Sequence, residues 1–227
     1  MTMVSENKVA ELSVGDALAE RWSCRGYLPE PLPRSVIEQI LEAAQRTPSW
    51  CNTQPWQVAI FSGESIASLR ADFASDQRLG SDIDFPPGYE GVHADRRRAV
   101  ARQLYEAVGV EWGDREASAA QTLRNFDFFG APHVAIISAP TNLGPYGLVD
   151  CGLFVQSFLL AAHAAGVGTI AQAAVALKSE VLHDRLGWGD DRQVLCGISF
   201  GRPDPEHPSN SFRSTRAPIT DTTVFLD

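Results

Sequence analysis

From residue 34 to residue 46 the apolar positions Ile37, Ile40, Leu41 and Ala44 recur every three or four residues. That spacing predicts an amphipathic helix that ends before Pro48. The next segment, "PWQVAIF", is apolar and β-prone and reads as a strand. Gly63-Glu64 then opens another helix, with Ile66, Leu69 and Phe73 as its apolar face. Nearer the start, "LSVGDALAERWS" offers Ser13 as an N-cap and Asp16 in the first turn, so a short helix leads into "RWSCRGY".

Residues 76–91 hold Gly80, Pro86-Pro87 and Gly88 and predict a long loop. A helix follows with Val100, Leu104 and Ala107 on one face and Arg96, Arg97, Arg98 and Arg102 on the other. A further helix is expected over roughly 115–128, ending at "FFGAP". "HVAIISA" reads as a strand, 148–165 as a buried helix, 179–186 as a short helix and "QVLCGISFG" as the third good strand. The tail "ITDTTVFLD" is extended and β-prone, with no neighbour in sequence to pair with. Strands separated by helices predict a layered α/β or α+β architecture. A single domain over 1–227 accounts for the length, with 76–128 as a helical excursion of the kind that forms lids.

Composition narrows the function classes. At 44% hydrophobic and 21% charged residues the chain has the balance of a soluble globular protein. Its net charge of -9 argues against nucleic acid or an anionic membrane surface as a partner. "MTMVSENKVAELS" lacks a basic start followed by an apolar stretch, so no secretory leader is expected. Leu148 to Gly166 carries Asp150, Gln156, Ser157 and His163 and reads as a core helix, not a membrane span. Cys24, Cys51, Cys151 and Cys196 form no CxxC pair, which fits reduced thiols and a cytoplasmic location. The scattered Cys and His give no zinc-ligand spacing, and no metal site is expected.

Against that acidic background the arginines call for an explanation. In "RWSCRGY", Arg21, Ser23 and Arg25 alternate, so an extended backbone points all three to one side as a phosphate clamp; a solvated turn is the alternative. "RTPSWCNTQPW" places the amides of Asn52 and Gln54 and the Ser49 hydroxyl on a loop between Pro48 and Pro55. Those groups match a heterocycle with alternating N–H and C=O, or else simply make Asx-type turns. "AAGVGTIAQAAVAL" lacks the preceding strand and third glycine of a dinucleotide fingerprint. It reads better as Gly166 capping a helix, then a crossing segment around Gln172 whose small residues Ala171, Ala173 and Ala174 let backbone approach a flat ligand. "NSFRSTRAP" brings Arg213 and Arg216, as a second phosphate contact or as surface charge. Cys51 has no histidine nearby in sequence and reads as a bystander thiol.

Taken together these pieces resemble the FMN-dependent nitroreductase family. Arg21-x-Ser23-x-Arg25 matches its first motif, and Pro48, Ser49, Asn52, Gln54, Pro55 and Trp56 match the fixed positions of its Pro-Ser-x-x-Asn-x-Gln-Pro-Trp motif. "RRRAVARQLYEAVG", "RNFDFFGAP" and "DDRQVLCGISFGRPDPEHPSNSFRSTRAP" resemble the nitrobenzoate-reductase-like branch. The resemblance implies an α+β, nitroreductase-like fold with a central mixed, mainly antiparallel sheet flanked by helices. It also implies a homodimer in which the C-terminal strand is exchanged, and FMN at the interface. On this reading Arg21, Ser23, Arg25 and Arg213 hold the ribityl phosphate, with Trp22 and Arg216 beside it. Pro48, Ser49, Asn52 and Gln54 reach the ribityl chain and ring, Ser49 and Asn52 from the other subunit. Gln172, Ala173 and Ala174 face the redox-active edge. The chemistry occurs at flavin N5, with no catalytic side chain. NAD(P)H donates two electrons, and a nitroaromatic or quinone-like acceptor takes them in a ping-pong cycle. Alternatives are other flavin chemistry on the same scaffold (enone reduction, reductive dehalogenation, flavin fragmentation) or a flavin-binding protein without turnover. Where relatives carry an acid near Ala173 and a basic residue at Trp22, this chain has neither.

Overall fold

The computed structural model describes residues 12–226; the segment read for a leader, 1–11, lies outside them, as does Asp227. Strands β1 (Gln57–Ser62), β2 (His133–Pro140), β3 (Gly168–Gln172) and β4 (Arg192–Gly201) form one sheet in the order β1-β2-β4-β3. All its ladders are antiparallel. Parallel pairing among the described residues is confined to the isolated bridges Ser23–Thr169 and Gly80–Lys178. Helices α1 (Val14–Glu20), α2 (Arg34–Ala44), α3 (Glu64–Ser75), α4 (Gly91–Ala107), α5 (Arg115–Leu123), α6 (Gly144–Ala164) and α7 (Ser179–Leu186) surround the sheet. This is the expected α+β architecture.

Strand β2 is buried along all but its last residue, and its alternation feeds two cores. Ala135, Ile137 and Ala139 meet Ile37 and Ile40 of α2 and Phe154 and Phe158 of α6. Val134 and Ile136 meet Leu69 and Phe73 of α3 and Leu182 of α7. Each of the larger of these side chains, fully buried, contributes about 1.5–3 kcal/mol, so the sheet is held from both faces. The β2–β4 register slips between Ile137 and Ser138, leaving Leu195 as the extra residue of a bulge. That slip explains why Val194 belongs to one core while Ile198 and Phe200 belong to the other.

The periodicities that predict α2 and α3 hold, and Ser13 caps α1 by accepting from the Asp16 N–H at 3.1 Å. Three expectations change. Gly168–Gln172, read as a crossing segment, is the edge strand β3. The helix expected over 115–128 stops at Leu123, and Phe128 and Phe129 turn the chain with positive φ. In the single chain the tail forms only a short 3-10 turn at Ile219–Asp221, and Val224, Phe225 and Leu226 are exposed. Helix α6 is two-faced. Cys151, Phe154, Phe158 and Ala162 enter the core, while Tyr146, Val149 and Leu153 are 62%, 58% and 46% exposed. By length and composition alone 141–164 could cross a membrane, but one of its sides is committed to the sheet.

His133 sits at the start of β2, 2% exposed and stacked on Phe200. Its Nε2 accepts the Leu32 N–H at 2.8 Å, which leaves the proton on Nδ1, 2.6 Å from Ser62 Oγ. Burial lowers its pKa from 6.5, so the folded form keeps a neutral imidazole. The unfolded chain binds that proton first on acidification. The stability from this site is therefore complete above the unfolded value and is lost as pH falls from there towards the folded value. His133→Phe should cost about 1–3 kcal/mol at neutral pH, because the Leu32 N–H loses its acceptor. It should also flatten part of the decline in the urea midpoint on the acid side of neutrality; an unchanged acid slope would exclude the imidazole as its source.

Candidate functional site

Between α1 and α2 the chain runs along the free edge of β3. The Cys24 N–H donates to Thr169 O at 2.9 Å and the Leu28 N–H to Arg202 O at 2.9 Å. Cys24 is wholly buried, and alternation turns Arg21, Ser23 and Arg25 outwards into a common cavity. The approach is close enough to require glycine. A Cβ on Gly26 would lie 2.1 Å from His207 Cγ, and one on Gly168 would lie 2.9 Å from Cys24 Sγ. Asn210 closes the arrangement from the other end of the chain. Its Oδ1 accepts the Arg25 N–H at 2.9 Å, and its Nδ2 donates to Gly26 O and Asp204 O at 2.8 Å.

The resulting cavity, of about 620 Å³, is lined by Arg21, Trp22, Ser23, Arg25, Arg213 and Arg216, with His163 and Phe212 at its walls. Arg213 lies over the Trp22 ring at 4.1 Å and donates to Asn210 O and Phe212 O at 2.8 Å. Arg216 donates to Ser214 Oγ at 2.9 Å. Among the described residues none of the four guanidiniums has a carboxylate partner. Burial, then Arg216, pushes Arg21 below its ordinary pKa; burial does the same to Arg25. His163 is also lowered, by burial first and by Arg21 and Arg213 against Glu20. Four guanidiniums on one cavity, with Glu20 as an acid in its lining but not ion-paired with them, leave a positive site suited to an anion.

The second motif folds as a strained loop. Cys51, Asn52 and Gln54 all adopt positive φ, of 51°, 57° and 47°, at about 1–2 kcal/mol per non-glycine residue. Side chains hold it there. Ser49 Oγ accepts the Gln54 N–H at 2.9 Å, Asn52 Oδ1 accepts from Gln54 Nε2 at 3.1 Å, and buried Asp150 accepts the Trp50 N–H at 3.1 Å. Trp56 is buried against Phe154, whereas Trp50 is 63% exposed beside Tyr146. Pro48, Asn52 and Gln54 are exposed, Ser49 is half-buried, and none of them lines the arginine cavity. The loop is anchored at Asp150 and the cavity touches His163, thirteen residues along α6 and so about 20 Å apart.

The third element follows from β3. Ser23 pairs with Thr169, and the strand carries the chain four residues on to Ala173, about 13 Å away at ~3.3 Å per residue. Ala173 is exposed and Ala174 half-buried. The Gln172 amide is engaged within the protein: its Nε2 donates to Asn125 O and Oδ1 at 3.0 and 3.1 Å, and its Oε1 accepts from Ser199. Only backbone is left to a ligand at this position. Burial pushes the Cys24 thiol up to about 11 and the Cys151 thiol to about 12, so neither is a nucleophile. Sequence reasoning missed Asn210, Gly26, His163 and Phe212. An asparagine three residues before Arg213 was a visible signal; the His163 wall was not.

Comparison with known proteins places the chain in a family. The model of the nitroreductase family matches residues 18–202. Nitroreductase NfnB of Mycolicibacterium smegmatis is 31% identical over 209 residues, 90% of this chain and 89% of its own. The 4-nitrobenzoate reductase of Pseudomonas putida is 30% identical, over 92% and 93% of the two chains. The crystal structure of FMN-dependent NfnB from Mycobacterium smegmatis in complex with NADPH superposes with a TM-score of 0.88 at 29% identity, covering 95% of this chain and all of that one. The chain belongs to the nitroreductase family.

Proposed function

We propose that the arginine cavity holds the phosphate of FMN and that the chain is an NAD(P)H-dependent, FMN-containing nitroreductase. It would act on nitroaromatic or quinone-like acceptors as a cytoplasmic homodimer. The observation that carries this reading is the gathering of four guanidiniums without carboxylate partners from opposite ends of an acidic chain. FMN-dependent relatives over nearly the whole length support it. FMN bound there would supply the redox chemistry, two-electron transfer between a nicotinamide nucleotide and the acceptor. Arg21, Arg25 and Arg213 neutralise the phosphate, Ser23 adds a hydroxyl, and Trp22 holds the Arg213 fork flat. Ala173 and Ala174 present backbone without bulk where a flat ring arrives along β3. Backbone donors there favour negative charge developing on a bound ring. The excursion over 76–128 serves as the lid.

Neither half of the site is complete in one chain. The amide loop sits near one end of α6 and the arginines near the other, about 20 Å apart. A second copy packed antiparallel against the exposed Tyr146–Val149–Leu153 row brings the loop of one chain to the cavity of its partner. The apolar tail, with Val224, Phe225 and Leu226 exposed, is then available to join the partner's sheet edge.

Three outcomes test this function. Flavin titration of the apoprotein should show Arg213→Ala weakening FMN by about 1.5–3 kcal/mol, the scale of a hydrogen bond to a charged group. Arg98→Ala, on α4 and outside the lining of the arginine cavity, should leave FMN affinity unchanged; equal losses would refute the assignment of the arginines. Light scattering should give twice the mass of the 24.7 kDa chain, and a monomer that retains flavin and turnover would exclude a site shared between subunits. Steady-state double-reciprocal plots with varied nucleotide and nitroaromatic should be parallel, because one space serves both substrates in turn. Intersecting plots would require separate sites.

A further inference from the structure

At the root of the excursion lies a second cavity, of about 560 Å³, which shares no lining residue with the arginine cavity. The outgoing arm contributes Leu79, the returning arm Leu123 and Phe126, and α3 contributes Phe73. Leu79 and Leu123 are 63% and 61% exposed, so both arms present uncovered apolar side chains to the same space. One cation stands at its inner wall. Lys178 is only 4% exposed; its Nζ donates to Asp76 O and, at 3.2 Å, to Arg78 O, and it lies 5.5 Å from the centroid of the Phe126 ring.

Most of the charged groups around this cavity are ion-paired with one another. Arg70, also on the wall, is paired with Asp127 at 3.0 Å. The Asp76 carboxylate is taken by Arg78 at 2.5 Å, and Arg78 also reaches Glu180 and Asp184. Of these groups Lys178 forms no salt bridge, although the Asp76 carboxylate lies within its electrostatic reach, and two of its three N–H donors are used. A buried ammonium is stabilised when an anion comes to it. We propose that this cavity is a small-molecule site separate from the reaction site, and that it takes a flat aromatic molecule bearing a single carboxylate. The rings occupy the space between Leu79, Leu123 and Phe126, and the carboxylate accepts the free N–H of Lys178. Such a ligand bridges both arms of the excursion. Asn125, between Leu123 and Phe126, holds the Gln172 amide, so the bridge ends beside Ala173.

The test is isothermal titration of the flavin-loaded protein, and of the flavin-free protein in parallel, with 2-naphthoate. One molecule per chain should bind in both forms, so failure of the FMN reading leaves this result standing. Leu123→Glu, which sets a like charge at the exposed mouth, should weaken binding at least tenfold, and so should Lys178→Met. The uncharged 2-naphthamide should bind roughly tenfold more weakly than the carboxylate, the scale of one lost charge-assisted hydrogen bond. If Lys178→Met does not fold, Leu123→Glu and the amide decide. No saturation up to millimolar probe, or equal affinity in Leu123→Glu and for the amide, would overturn the proposal. So would displacement of the probe by nicotinamide nucleotide, which would place it in the reaction site.

Discussion

The structure of the site depends on the docking of residues 23–28 against the sheet edge and on Asn210, which fastens that segment to the C-terminal region. The chain has a net charge of -9, yet four arginines converge on one cavity whose lining includes one acid, Glu20, and among the described residues none of the four is ion-paired. Backbone pairing at Cys24 and Leu28, and three hydrogen bonds from one buried asparagine side chain, hold them against their own repulsion. The close approaches at Gly26 and Gly168 leave no slack in this docking. A polyanion that binds there relieves a repulsion the fold has already imposed. Its affinity and the stability of the two chain ends are therefore one linked quantity.

Helix α6 sets the distance between the parts. Its core face is fixed by the sheet, so its length alone separates the loop anchored on Asp150 from the cavity wall at His163. The loop keeps positive φ at three non-glycine residues, a cost that recurs where function demands a geometry. In the proposed dimer the exposed row of α6 covers apolar surface and brings these two strained features together, one from each chain. The interface and the ligand site are then the same structure.

What the sequence made legible was local. Helical spacing marked α2 and α3, Ser13 marked the start of α1, and the alternation of Arg21, Ser23 and Arg25 survived folding because an edge pairing keeps that segment extended. What it concealed was settled by contacts distant in sequence. Gly168–Gln172 has a poor β composition and is a strand only because β4 offers it a partner, with Gly168 opposite Gly201 and Gln172 opposite Gly197. Gly197 and Gly201 leave room there for Val175 and Pro132. The Gln172 amide, unremarkable in sequence, braces Asn125 and Ser199. The tail carries a strand's composition, yet among its described residues the regular structure is the 3-10 turn at Ile219–Asp221.

The excursion is built with a firm root and a loose span. At the root, Gly80 pairs with Leu177, Ser179 holds Gly80 O, and Asp82 accepts both the Val194 N–H at 2.7 Å and His183 at 2.9 Å. These ties join it to β4 and α7, elements of the core. Beyond them α4 buries only Ala94, and its link to the tail is an ion pair of 3.8 Å between exposed side chains, Arg96 and Asp221. Exposed pairs of that kind hold little. Local opening follows the density of buried contacts, so α4 separates at far smaller cost than the root. Among the described residues of the excursion, the loosely held part is thus α4, whose Val100 lines the same cavity as Arg216.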